Sequence, residues 1–162
     1  VSDLVELLSR LSDFGVEFII VGGVAAVVHG SSRLSQDLDI VYRRTPQSID
    51  KLVSALTDLD PYPRGAPPGL PFRWDTATLQ RGLNFTLRTR LGDLDLFGEI
   101  AGGGRFEDLL PHTIQVRLFG REVRCLDLPT LVRVKRAAGR PRDFEVIAEL
   151  EEIWQEAENG ES

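Results

Sequence analysis

Residues Phe18 to Tyr42 read FIIVGGVAAVVHGSSRLSQDLDIVY, and this stretch decides how the rest of the chain is interpreted. Val16 to Val21 is β-branched and aromatic enough to be a buried strand. Gly22-Gly23 breaks it, and Val24 to Val28 is alanine-rich enough to form a short helix ending near Gly30. Asp37 to Tyr42 then alternates, with Asp37 and Asp39 on one face and Leu38 and Ile40 on the other, which is the period of a half-buried strand. Both carboxylates therefore leave one face, about 7 Å apart at their Cα atoms by strand rise.

Two like charges at that spacing repel unless a cation lies between them. A hard divalent ion with oxygen ligands suits the pair, and Mg²⁺ or Mn²⁺ fits best because neither His nor Cys accompanies it. The plainer reading is a solvated strand face. The glycine turn ahead of the pair argues for more, because backbone N–H groups at a helix N-terminus favour a phosphate. Neither a P-loop Gly-Lys-Ser/Thr nor a dinucleotide Gly-x-Gly-x-x-Gly is present, so the two common glycine fingerprints do not explain the turn. Close packing of helix on strand is the structural alternative.

Working outward, Leu4, Leu7, Leu8 and Leu11 before Gly15 predict an amphipathic helix over residues 2 to 14, and a second helix is expected from about Pro46 to Leu59. Residues 61 to 72 hold five prolines and two glycines and read as an irregular loop, long enough to be functional. Asn84 to Arg90 and Leu94 to Ile100 read as strands joined by a turn at Leu91-Gly92-Asp93. A hairpin follows from Thr113 to Phe119 and Glu122 to Leu126, turning at Gly120. Pro129 to Ala138 is a helix closed by Gly139, and Pro141 opens a last helix whose Phe144, Ile147, Leu150 and Trp154 share a face. Strands mixed with helices and hairpins predict an α+β, or mixed α/β, fold in place of a doubly wound parallel sheet. The 162 residues suit a single domain, with a core over about 16 to 126 and C-terminal helices over about 128 to 158.

Asp95, in the strand Leu94 to Ile100, offers a third carboxylate, and three carboxylates could hold two metal ions for an in-line displacement at phosphorus. Asp93 has the same strand parity, but beside Gly92 it has an ordinary turn role. Lys135 lies beside the apolar stripe of Leu131, Val134 and Ala138, so its ammonium either meets an anion in a cleft or snorkels to the surface. Asp143 is most simply explained by the first turn of the last helix. Arg33 and Ser35 precede the Asp37 strand, His29 ends the short helix, and Phe72 and Trp74 are read as core packing. Gly102 to Gly104 reads as a flexible loop.

Composition narrows the function class. One cysteine, Cys125, and two histidines exclude a disulfide scaffold and a Cys/His zinc site. The longest apolar run, Phe18 to Val28, is glycine-interrupted and too short to span a membrane, and no secretory pattern opens the chain, so the cytoplasm is expected. The net charge of -6 argues against non-specific nucleic-acid binding, yet it is unevenly spread. Eight acidic residues and no basic one lie from Asp143 onward, leaving 17 acids against 19 bases before it. The acidic end reads as a solvated helix face.

The stretch Phe18 to Tyr42 resembles the signature of the DNA polymerase β-like nucleotidyltransferase superfamily, in which a Gly-Gly or Gly-Ser turn precedes an Asp-x-Asp strand. Gly92 to Gly98, GDLDLFG, and Asp127 to Asp143, DLPTLVRVKRAAGRPRD, narrow the likeness to minimal nucleotidyltransferases of the AbiEii type, associated with abortive infection and toxin–antitoxin pairs. The resemblance implies a nucleotidyltransferase-like mixed sheet flanked by helices. It implies that Asp37, Asp39 and Asp95 hold Mg²⁺ or Mn²⁺ and serve catalysis, and that Gly22, Gly23, Ser35 and Lys135 contact the nucleotide. At Gly23 many superfamily members carry a serine, a departure that leaves the phosphate to backbone N–H groups. The implied reaction moves NMP from an NTP to an acceptor hydroxyl of a tRNA end, a protein or a small molecule, with an antitoxin as a further partner and no membrane. A catalytically silent nucleotide- or partner-binding module of the same fold is the alternative.

Overall fold

The computed structural model describes residues 3–160. Helix α1 (Leu4–Asp13) is followed by strand β1 (Phe18–Val21), helix α2 (Gly22–Val28), strand β2 (Leu38–Tyr42) and helix α3 (Pro46–Leu56). Then come β3 (Tyr62–Pro63), α4 (Thr76–Arg81), β4 (Asn84–Thr89), β5 (Gly92–Phe97), the short β6 (Glu99–Ile100) and β7 (Gly104–Arg105), and α5 (Phe106–Leu109). The hairpin β8 (Thr113–Leu118) and β9 (Arg121–Leu126) precedes α6 (Leu128–Ala138) and α7 (Phe144–Gly160). The start of the first expected helix, Ser2, lies outside the described residues.

Seven strands form one mixed sheet in the order β3-β4-β5-β2-β1-β9-β8. The neighbours β2/β5 and β1/β9 are parallel and the remaining pairs antiparallel. The mixed fold expected from the sequence is the one observed. β1 and β2 are central and, Asp39 apart, apolar: Ile19, Ile20, Ile40 and Val41 are fully buried. Helices α1 and α3 pack together, and α6 packs on α2 and α7. Asp127 caps α6 by accepting from the Thr130 N–H at 2.9 Å, and Gly139 ends that helix in the left-handed conformation, φ +65°.

Several expectations are corrected. The loop over 61 to 72 is not wholly irregular: Tyr62 and Pro63 add an edge strand to β4, a position where proline's missing N–H costs no ladder bond. Its Tyr62 ring packs edge-on to Phe72 at 6.1 Å. Helices α4 and α5 were not foreseen, because six and four residues are too few to show a helical period. Gly102 and Gly103 sit in the tight turn of the β6–β7 ribbon, and Gly104 opens β7 itself. Phe144 does not share the buried face of α7; it is 60% exposed, and Val146 is buried with Ile147 and Leu150.

The acidic end is likewise more than a solvated face. Glu149 accepts from the Ser31 hydroxyl at 2.6 Å, the Ser32 N–H at 3.1 Å and the Ser32 hydroxyl at 2.8 Å, while Glu145 pairs with Arg33. These contacts strap the loop after α2 onto α7. Among the described residues, no helix is long and apolar enough to cross a membrane.

Because Ile40 is completely buried in the central strand, Ile40→Val should cost about 0.5–1.5 kcal/mol and Ile40→Ala about 2–5 kcal/mol in urea unfolding. Equal losses for the two would show that the strand can collapse onto the gap.

Candidate active site

The parallel register of β2 and β5 sets Asp39 directly beside Asp95. Antiparallel pairing extends the row to Thr86 on one side and Val21 on the other, and Val21 is the last residue before α2. Alternation does the rest. Leu38, Ile40, Leu94 and Leu96 are buried in the core, which turns Asp39, Asp93 and Asp95 to the opposite face.

That face opens into a cleft of about 660 Å³ lined by Gly22, Gly23, Ser35, Asp37, Asp39, Asp95 and Lys135, so all seven residues singled out in the sequence come together. Asp37 is placed differently from expectation: β2 begins at Leu38, and Asp37 is an exposed residue of the preceding bend. Asp93 is not a turn residue, since β5 begins at Gly92 and pairs Asp93 with Arg88.

Each glycine sits where a side chain would collide, Gly22 with a carboxylate and Gly23 with a serine. Gly22 has φ +75°, and a Cβ on it would lie 2.1 Å from Asp39 Oδ2. A Cβ on Gly23 would lie 2.6 Å from the Ser35 hydroxyl oxygen. The space that a serine at position 23 would need is thus taken by Ser35, whose hydroxyl also donates to the Asp37 carbonyl at 3.2 Å. A hydroxyl stands beside the glycine turn even though the turn carries none.

Burial, followed by the charges and hydrogen bond of Asp95 and then the charge of Asp37, raises the Asp39 carboxyl to about 7. Lys135 acts in the opposite sense on Asp39. Lys135 does not snorkel; it is 6% exposed on α6, with Asp143 Oδ1 4.0 Å from its Nζ. Burial lowers the Lys135 pKa, while Asp143 and Asp39 favour its charge. Asp143 is itself buried and accepts from Arg140 Nε at 2.7 Å, so its role is to pair two cations and not simply to face a helix N-terminus.

Sequence reasoning missed Arg64. From the proline-rich loop its Nη2 donates to Asp95 Oδ1 at 2.7 Å, and its Nη1 lies 3.5 Å from Asp93 Oδ2. The plainer readings hold for other residues: His29 Nε2 donates to the Leu126 carbonyl at 2.7 Å, Trp74 Nε1 donates to the Val53 carbonyl at 3.0 Å, and Phe72 packs on the core.

Carboxylate oxygens without nitrogen or sulfur donors suit a hard divalent cation. Among the described residues, however, no three such side chains meet at the spacing of a metal cluster. Asp95 is engaged by Arg64, and Asp37 stands outside the strand.

A family model described as "Nucleotidyl transferase AbiEii toxin, Type IV TA system" matches residues 6–144. The chain belongs to the AbiEii family. It is accordingly a nucleotidyltransferase. Two solved structures share the AbiEii-family fold seen here. The lincosamide antibiotic adenylyltransferase LnuA, in a lincomycin-bound crystal structure, superposes with a TM-score of 0.61 at 17% identity, covering 93% of this chain and 96% of its own. A nucleotidyltransferase-type protein from Thermotoga maritima gives 0.56 at 15% identity, covering 90% and 88%. At these identities the likeness is one of fold. A search of curated proteins gives no match.

Two outcomes follow from the geometry. A carboxyl held protonated by its surroundings makes the folded state bind the extra proton between the unfolded Asp value near 4 and about 7, so its contribution to stability is full below 4 and lost as pH rises through 7. With chelator present, Asp39→Asn should flatten that decline and stabilise the protein at pH 8 by on the order of 1–2 kcal/mol; an unchanged pH profile of Tm would show that the pair is not under strain. Gly22→Ala should lower stability by about 1–3 kcal/mol through backbone strain and contact with Asp39, read by chemical denaturation.

Proposed function

We propose that this cleft moves a nucleoside monophosphate from an NTP to an acceptor hydroxyl, with release of pyrophosphate, and that Asp37, Asp39 and Asp95 hold Mg²⁺ or Mn²⁺ for the reaction. The observation that carries the reading is the adjacency of Asp39 and Asp95 across β2 and β5, beneath a backbone turn stripped of side chains at Gly22 and Gly23. Asp95 is preferred to Asp93 as the third carboxylate because it, and not Asp93, is in register with Asp39. When bound, the divalent cation supplies electrostatic stabilisation of the attacking and leaving oxygens.

The chain's own groups divide the remaining work. Gly22 and Gly23 let the backbone approach the triphosphate, the Ser35 hydroxyl exchanges its bond to the Asp37 carbonyl for one to a phosphate oxygen, and the Lys135 ammonium in the cleft wall offsets phosphate charge. Asp143 positions Lys135 and keeps it charged. Arg33, Arg140 and Arg142 also line the cleft, and their positive potential favours entry of a polyanion. The acceptor hydroxyl approaches along the open side and belongs to an RNA end, a partner protein or a small molecule. Family membership supports a place as the toxin of a toxin–antitoxin pair, with a cognate antitoxin protein as partner; the cytoplasm is the proposed site of action.

With α-labelled NTPs, cell extract and Mg²⁺, label should enter one acceptor class in the wild type and in none for Asp37→Ala or Asp39→Ala; equal labelling by wild type and variants overturns the assignment. Ser35→Ala, losing one neutral hydrogen bond to phosphate, should raise the NTP KM by about 2–10-fold with kcat little changed. Induced expression should arrest growth, and the Asp39→Ala variant should not; arrest by both would separate toxicity from transfer.

A further inference from the structure

We infer that Arg64 is a counter-cation latch that competes with the divalent cation for Asp95 and is received by Asp93 when the cation enters. This rests on the reading of Asp95 as a metal ligand given above.

Arg64 is anchored on β4 through both its backbone and its guanidinium. The Arg64 N–H donates to the Thr86 carbonyl at 2.9 Å, Pro63 before it is fixed in the edge pairing with β4, and Nη1 donates to the Leu87 carbonyl at 3.3 Å. Thr86 is the β4 residue paired with Asp95, so the backbone that anchors Arg64 belongs to the carboxylate row itself. The head then reaches two carboxylates on one strand face, through one terminal nitrogen each: 2.7 Å to Asp95 and 3.5 Å to Asp93. All three side chains are partly shielded, with 30%, 22% and 34% of the side chain exposed for Arg64, Asp95 and Asp93.

Arg64 thus commits one oxygen of Asp95, the carboxylate that Asp39 also meets through a hydrogen bond. A carboxylate oxygen donated to at 2.7 Å by a guanidinium is committed in direction and charge, and a divalent cation approaching it meets the repulsion of the same guanidinium. Asp93 sits two residues back on the same strand face, out of register with Asp39 but within reach of the same guanidinium. It gives Arg64 a second partner, so Asp95 can be released without leaving a half-buried cation unpaired. The rigid fork is suited to this exchange because one terminal nitrogen donates to Asp95 while the other, bonded to the Leu87 carbonyl, already lies 3.5 Å from Asp93. Asp37 also contributes to the negative field on Arg64, so a cation bound by Asp37 and Asp39 weakens what holds the latch closed.

The test is Mn²⁺ binding to the whole chain without nucleotide, read from the loss of the free Mn²⁺ EPR signal, with thermal unfolding in parallel. Arg64→Gln should tighten Mn²⁺ binding about 3–10-fold and lower Tm more in chelator than in saturating Mn²⁺. Asp93→Asn, leaving the guanidinium to Asp95 alone, should weaken Mn²⁺ binding about 3-fold. Wild-type or weaker binding by Arg64→Gln, or unchanged or tighter binding by Asp93→Asn, overturns the latch; if Arg64→Gln does not fold, Asp93→Asn decides alone. Asp95→Asn separates the two ideas: unchanged Mn²⁺ binding there overturns the metal-site reading, whereas lost binding there with no gain in Arg64→Gln overturns only the latch.

Discussion

Asp39 and Asp95 stand side by side on neighbouring parallel strands, at a depth where two negative charges cannot both be comfortable. The core enforces this. Leu38 and Ile40 on one strand, and Leu94 and Leu96 on the other, are fully buried, so neither strand can slip by one residue without exposing its apolar set. The fold thus holds the repulsion in place, and the groups around it answer it. Gly22 gives up its side chain to leave room for Asp39, Lys135 faces the pair from α6, and Arg64 takes hold of Asp95 from the opposite edge. A carboxyl raised to about 7 marks a site whose preferred state includes added positive charge.

The C-terminal helix is part of the same arrangement. Read as a string of charges, the end of the chain is simply acidic. In three dimensions Asp143 pairs with Lys135 and Arg140, Glu149 ties down Ser31 and Ser32, and Glu151 pairs with Arg136. The loop so anchored carries Ser35 to Gly23 and delivers the chain to Asp37. Several contacts from one helix together fix an irregular segment that lines the cleft, although its Arg33–Glu145 pair is exposed and by itself worth little.

Much of this was legible in the sequence because it rests on short-range periodicity. The Asp39 alternation, the Gly-Gly break and the later Asp95 strand are local patterns, and the family signature adds their order along the chain. The pairing of Asp39 with Asp95 was not legible, since strand register is set by contacts across more than 50 residues. Arg64 was hidden for a related reason: an arginine in a proline-rich loop looks solvated until the edge strand at Tyr62–Pro63 carries it back to β5. Asp143 has an adequate local explanation as a residue at a helix start, and only its burial beside Lys135 gives it a different role. Phe144 followed the helical period yet lies outside, because the helix rotates its apolar stripe toward Val146.

The most direct measurement is a crystal structure of the wild-type protein with Mn²⁺ and a non-hydrolysable NTP analogue, located by anomalous scattering. A manganese peak bound by Asp37, Asp39 and Asp95 is expected, with the triphosphate against Gly22 and Gly23 and the Arg64 head moved to Asp93. A manganese peak away from these carboxylates, or a triphosphate bound elsewhere on the molecule, would contradict this assignment.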